Sequence, residues 1–171
     1  MGKNAKTFFI LLLILLIAGW WNICFAETYS QKDGLFKIDF PQGWQLIEQP
    51  GSIMAMKMAP PNMSSIIVAF EPWAVESDEA AKSLLNEKAF WAGIKGTIES
   101  RGGTIVNERD IWVDGVYARR LDATITAGNR TMQKTSVSFF HKDHLIHIGF
   151  DSTIKEDMAK LESAFETFRL H

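Results

Sequence analysis

The chain has 171 residues, of which 47% are apolar and 22% charged, and its formal net charge is −2. That size fits one domain, and the near-balanced charge excludes a general nucleic-acid binder, which needs a basic face. With Cys24 as its one cysteine, the chain also lacks a disulfide framework.

Lys3 and Lys6 open the chain with positive charge, an apolar run follows from Phe8 to Ala18, and Gly19 breaks it. The stretch then ends in Cys24-Phe25-Ala26, which puts small residues at −3 and −1 of a cut between Ala26 and Glu27. This is the layout of a secretory signal. The competing reading is an uncleaved anchor, but Thr7 to Phe25 is nineteen residues with Asn22 inside, barely enough to cross a bilayer. Trp21-Asn22-Ile23 lacks the small residues that a lipoprotein signal places before its cysteine. Residues 1–26 are therefore expected to be a cleaved signal peptide, and 27–171 a single domain in the periplasm or secreted. Membrane contact is expected only through the N-terminal segment before cleavage.

Cleavage removes Cys24 and leaves 16 basic against 20 acidic residues, a net charge of −4. A cysteine-free exported domain fits a bacterial periplasm better than a small disulfide-stapled animal domain. The remaining 145 residues are enough to bury about two-thirds of the surface that the unfolded chain exposes, so no staple is needed.

Gly34 to Phe40 alternates, with Phe36, Ile38 and Phe40 on one side and Lys37 and Asp39 on the other, which predicts a half-buried strand. Pro41-Gln42-Gly43 ends it, and Trp44 to Ile47 resumes an extended segment. Ile53, Met54, Met56 and Met58 suggest the next strand after the Pro50-Gly51 turn, and Ser65 to Phe70 another, stopped by Pro72. Ser77 is a good N-cap followed by Asp78 and Glu79. Ala81, Leu84, Leu85, Trp91, Ile94 and Ile98 recur at helical spacing, predicting mostly one helix over 78–100 that ends at Gly102-Gly103. Turns at Asp114-Gly115, Gly128-Asn129 and Lys142-Asp143 divide the next stretch into strands near 104–112, 116–127, 130–140 and 144–151, paired as a meander. Thr153-Ile154-Lys155-Glu156 reads as a capping box opening a last helix with Met158, Leu161, Phe165 and Phe168 on its apolar face. The expected class is α+β, a central antiparallel sheet of about six strands with helices packed on it.

Two segments, Phe36-Lys37-Ile38-Asp39-Phe40-Pro41-Gln42-Gly43-Trp44 and Ser163-Ala164-Phe165-Glu166-Thr167-Phe168-Arg169, resemble the PsbP/DcrB-like family, to which the Ran-binding Mog protein also belongs. The resemblance runs over the whole of 27–171 in element order, with Pro41-x-Gly43-Trp44 as its one short motif. It implies a Mog/PsbP-like α/β/α sandwich used as a binding or assembly module. It brings no shared catalytic residues, and no cofactor is expected.

The candidates for chemistry all have plainer readings. His141, His144 and His147 lie around a two-residue turn, where His141 faces His144 but His147 pairs with Ser138 on the opposite face, so the three cannot share one metal ion. Ser136 and Ser138 lack the Gly-x-Ser-x-Gly elbow of a nucleophile. Gly93-x-x-Gly96 lacks the Lys-Ser/Thr of a phosphate loop. Glu108 and Asp110 read as a solvated edge, and either carboxylate is a partner for Arg119.

If Tyr117, Leu121, Ile125, Val137, Phe139, Ile146 and Ile148 share one core face, then Arg120, Met132, Lys134, Phe140, Leu145 and His147 lie on the other. That second face is either covered by a helix or open as an apolar and basic groove. Trp73, in a loop after Pro72, is either an exposed anchor or a lid folded on the core. The expected partner-binding residues are thus Trp73, Arg120, Lys134, Phe140, Leu145 and His147, with no catalytic or metal residues. The leading expectation is a non-catalytic exported module that binds a protein partner in the cell envelope. The alternative is a carrier of a small apolar or anionic ligand in a pocket between sheet and helix.

Overall fold

A computed structural model describes residues 27–171, and the expected signal segment lies outside them. The described residues form strands β1 (Glu27–Ser30), β2 (Phe36–Phe40), β3 (Gln45–Gln49), β4 (Ser52–Ala59) and β5 (Asn62–Pro72). Helices α1 (Asp78–Asn86) and α2 (Lys88–Ser100) follow, then β6 (Gly103–Val113), β7 (Val116–Ala127), β8 (Arg130–His141) and β9 (His144–Ser152). Helix α3 (Lys155–Glu166) and β10 (Arg169–Leu170) close the chain. Seven strands make one antiparallel sheet in the order β3-β4-β5-β9-β8-β7-β6, and β1-β2-β10 make a second, smaller sheet. The α+β expectation holds, with more strands than expected. The additions are short segments such as Glu27–Ser30 and Arg169–Leu170, too brief to show a period of two.

The small sheet and α3 cover one face of the large sheet. Phe36, Ile38 and Phe40 are fully buried there with Val137, Phe139, Ile146, Ile148, Phe150 and Leu161. Phe36 and Phe168 stack with ring centroids 5.1 Å apart, so the two segments that carry the family resemblance meet in this core. Gly43 takes φ +75°, a left-handed angle that glycine adopts without strain. The chain thereby leaves β2 and buries Trp44 at the end of the core.

Helices α1 and α2 cover part of the opposite face. The single helix expected over 78–100 is broken at Glu87, whose backbone is extended at φ −70°, ψ 133°. Leu85 packs with Phe140 and Leu145, whereas Trp91 and Ile98 pack with Leu121, Ala123 and Ile125. A twisted sheet presents these two clusters at different angles, and one straight helix cannot follow both. Trp91 Nε1 donates to the Leu85 carbonyl at 2.7 Å and so closes the break. Ser77 caps α1 as expected, accepting from the Ala80 amide at 3.1 Å.

Gly103 sits where α2 returns to the sheet. A Cβ there would lie 2.5 Å from Ile98 Cγ2 and 2.8 Å from the Ile98 carbonyl oxygen, so only glycine fits. At α3 the expected capping box does not form. Thr153 Oγ1 donates to Asn62 instead, and Ser152 Oγ, one residue earlier, accepts from the Ile154 amide at 2.8 Å.

Candidate functional site

Strand pairing decides which candidate residues share a face, and it corrects the sequence reading. Arg120 lies opposite Val137, while Leu121 lies opposite Ser136, and Ile125 opposite Met132. Directly paired residues point the same way. Arg120 therefore belongs with Val137 and Phe139 on the α3 face. Tyr117, Leu121 and Ile125 share the α1/α2 face with Met132, Lys134, Phe140, Leu145 and His147. The β8–β9 register is the expected one, and the same parity continued across the Gly128-Asn129 turn puts Arg120, not Leu121, on the side of Val137.

The six expected binding residues do not share one groove: Phe140 lines one, Lys134 and His147 another, and Arg120 lies on the opposite face. Arg120 is held by Glu162 (Nη1–Oε2 3.0 Å), Asp122 (Nε–Oδ1 2.7 Å) and Thr135. Burial lowers its pKa, but the bonds to Glu162 and Asp122 outweigh that and raise it above the ordinary arginine value. Phe140 and Leu145 are buried beneath α1, in the helix-covered arrangement. Lys134 lies 3.5 Å from Asp151. His147 bonds Ser138 Oγ through Nδ1 at 2.8 Å. Burial first, then the nearby Lys134 charge, pushes its pKa down to about 4.

Trp73 combines both readings. Its amide donates to the Asp143 carbonyl at 2.8 Å and its ring meets Phe140 edge-on with centroids 5.9 Å apart, yet 41% of the residue is exposed.

Next to this lid the α1 N-terminus, the β6–β7 turn and the β8–β9 turn enclose a groove of about 520 Å³. Its apolar wall is Val75, Val116, Trp112, Tyr117 and Phe140. Trp112 is 71% exposed and stands edge-on to Tyr117, its cross-strand partner, with centroids 6.0 Å apart. Tyr117 is fixed from behind: Asn86 Nδ2 donates to its hydroxyl at 2.8 Å, and Lys82 Nζ lies 5.1 Å from its ring centroid. The acidic side chains Asp78, Glu79 and Asp143 outnumber Lys82 and Lys142 at the rim. Trp112 was not singled out in the sequence. The available signal was a tryptophan placed two residues before an Asp-Gly turn, opposite a tyrosine on the next strand.

A second cavity of about 280 Å³ lies between α2 and the sheet, lined by Ile94, Thr97, Arg101, Met132, Lys134, Ser136, His147 and Asp151. The Ser136 hydroxyl, fully buried, has no hydrogen-bond partner among the described residues.

The remaining candidates are held in the β8–β9 hairpin and at the sheet edge. His141 pairs with His144 and His147 with Ser138, as expected from the turn. Among the described residues no group of three or more His, Cys, Asp or Glu is arranged to hold a metal ion. Strand β6 is a sheet edge, where Arg119 bonds Asp110 at 3.0 Å, reaches Glu108 at 3.4 Å and donates to Asn86 at 2.7 Å. Lys95 also reaches Glu108, at 2.6 Å, and bonding to Lys95 foremost, against a smaller effect of burial, holds that carboxyl below its ordinary pKa.

Such an architecture, an antiparallel sheet with helices on both faces and an aromatic groove at its turn end, defines an α+β sandwich. Within that class the fold is PsbP-like. The solution structure of cyanobacterial PsbP (CyanoP) from Synechocystis sp. PCC 6803 matches with a TM-score of 0.57 at 15% identity, covering 88% of this chain and 95% of that one. A crystal structure from Bacteroides thetaiotaomicron VPI-5482 matches with a TM-score of 0.58 at 9% identity, covering 85% of this chain and 48% of that one. This chain thus spans about half the length of the Bacteroides protein. No protein-family profile and no curated protein matches the sequence. At such identities the likeness concerns fold, and function is argued from the site.

Proposed function

We propose that the protein is a non-catalytic exported module that binds a protein partner of the cell envelope through the groove formed by Trp112, Tyr117, Val75 and Phe140. The observation that carries this reading is the exposure of Trp112, 71% open beside a buttressed tyrosine at the mouth of a groove of about 520 Å³. Tryptophan and tyrosine dominate binding hot spots because they bury much area at low entropic cost. The fitting partner presents an apolar side chain flanked by basic residues, which the excess of Asp78, Glu79 and Asp143 at the rim attracts. Export is supported by the Lys3–Ala26 pattern, and an accessory role by the PsbP-like fold.

A photo-crosslinker at position 112, in cells of the host, is expected to give one discrete protein adduct in the envelope fraction. The same group at Ser163, on α3, is expected to give none. The adducted protein, purified, should bind the unaltered chain and lose about thirtyfold in affinity or more with Trp112→Ala, the size of a hot-spot truncation. No adduct at 112, or unchanged affinity in the variant, overturns the reading.

The unpartnered Ser136 hydroxyl favours a second reading, a carrier of a small anion in the cavity beneath α2, with Lys134 and Arg101 supplying charge. Native mass spectrometry of protein purified from its host separates the two. A co-purifying small molecule displaced by Ser136→Ala together with Lys134→Met supports the carrier.

A further inference from the structure

Helices α1 and α2 cover β6, β7 and β8, and the same face of β3, β4 and β5 carries an apolar row of a particular kind. Four of the seven methionines fall within residues 54–63. Strand pairing sets Met58 opposite Met63, Met56 opposite Ser65 and Met54 opposite Ile67. Lys57 and Ser64 point to the α3 face, where both bond Asp157. The alternation of the strands then places Met54, Met56, Met58 and Met63 together on the other face. Met58 is 58% exposed and Met63 40%, while Met54 and Met56 are half-buried.

Exposed sheet positions are usually polar, whereas this row carries a thioether at four positions. Opposed residues have Cβ atoms about 5 Å apart, and i,i+2 neighbours on one face about 6.7 Å apart. Three unbranched methionine side chains at such spacing can bring their sulfurs round one ion. Thioethers are soft, neutral donors that favour Cu(I) over harder ions. No cysteine lies in residues 27–171 to compete. Ser65, beside Met56, donates to Asp151 at 2.8 Å, and Lys134 lies 3.5 Å from that carboxylate. Lys57 is turned to the opposite face, while Arg130 donates to the Pro61 carbonyl at 3.0 Å, at the turn between Met58 and Met63, so selection of the ion falls to the neutral sulfurs.

We propose that Met56, Met58 and Met63 form a surface site for a soft monovalent metal ion, Cu(I). The site stands apart from the Trp112 groove and is independent of the partner-binding reading.

The test is anaerobic competition for Cu(I) between the purified protein and a chromogenic Cu(I) chelator, with X-ray absorption of the loaded protein. One bound ion is expected, with sulfur as its protein ligands. Met58→Leu and Met63→Leu keep the apolar area and remove only the sulfur, so a docking surface would tolerate them. Each is expected to weaken Cu(I) binding by about tenfold or more, with an unchanged melting temperature. Absence of stoichiometric binding, a coordination shell of nitrogen and oxygen alone, or a Met58→Leu/Met63→Leu double variant that binds as tightly as the unaltered protein would overturn the proposal.

Discussion

Lys57 and Asp157 form a two-point ion pair, with Lys57 Nζ 2.9 Å from Oδ1 and 3.0 Å from Oδ2, that ties β4 to the first turn of α3. The carboxylate is almost wholly buried and also accepts from Ser64 Oγ at 3.0 Å. Burial alone raises the pKa of Asp157, but bonding to Lys57 and Ser64 outweighs it and holds the group below its ordinary value. The acid therefore stabilises the fold above the carboxylate range, and that stability is lost as pH falls through the lowered pKa. Lys57→Met leaves the carboxylate with Ser64 and the more exposed Lys160, 3.8 Å away. Since Lys57 itself is 39% exposed, the expected cost is about 1–3 kcal/mol rather than the full value for a buried pair, read from urea denaturation.

His147 makes the protein sensitive to mild acid. Its folded pKa of about 4 lies below the ordinary 6.5, so the unfolded chain takes up this proton first as pH drops. Stability from this group is complete above about pH 6.5 and declines between there and about pH 4, by roughly 3 kcal/mol in total. In His147→Gln the slope of unfolding free energy against pH over that window should flatten. An unchanged slope would show that another group is responsible.

Arg120 bridges β7 to α3 through Glu162 and also bonds Asp122 in its own strand. Its side chain is only 11% exposed. Replacing it with leucine leaves Glu162 without its cation, while Asp122 keeps Arg109 at 3.2 Å. A loss of about 2–4 kcal/mol is expected, seen as a lower denaturation midpoint with an unchanged slope.

Trp91 carries the break between α1 and α2 through its bond to the Leu85 carbonyl. Trp91→Phe keeps most of the buried ring but leaves that carbonyl unpaired. The expected destabilisation is about 1–2 kcal/mol, with amide exchange accelerated in α1 ahead of the sheet. Equal protection in variant and parent would mean that other contacts hold the break.

Much of the fold is legible in the sequence because it is local. The alternation of Phe36, Ile38 and Phe40, the two-residue turns at 114–115, 128–129 and 142–143, and the Ser77 cap each lie within a few residues and act through backbone geometry. The β8–β9 register followed directly from the Lys142-Asp143 turn, both residues of which adopt positive φ. The groove was not legible in this way. It is assembled from Val75, Trp112, Tyr117 and Phe140, which lie on four different segments.

What the sequence determined by itself is therefore most of the elements and the hairpin pairing, because hydrogen bonding and side-chain alternation repeat over short distances. Only the tertiary structure decided which side of the sheet each helix covers. It thereby buried Phe140 and Leu145, locked Arg120 onto Glu162 and left Trp112 and the methionine row open. Coverage depends on where α1, α2 and α3 settle on a twisted sheet, a balance of packing between residues far apart in the chain.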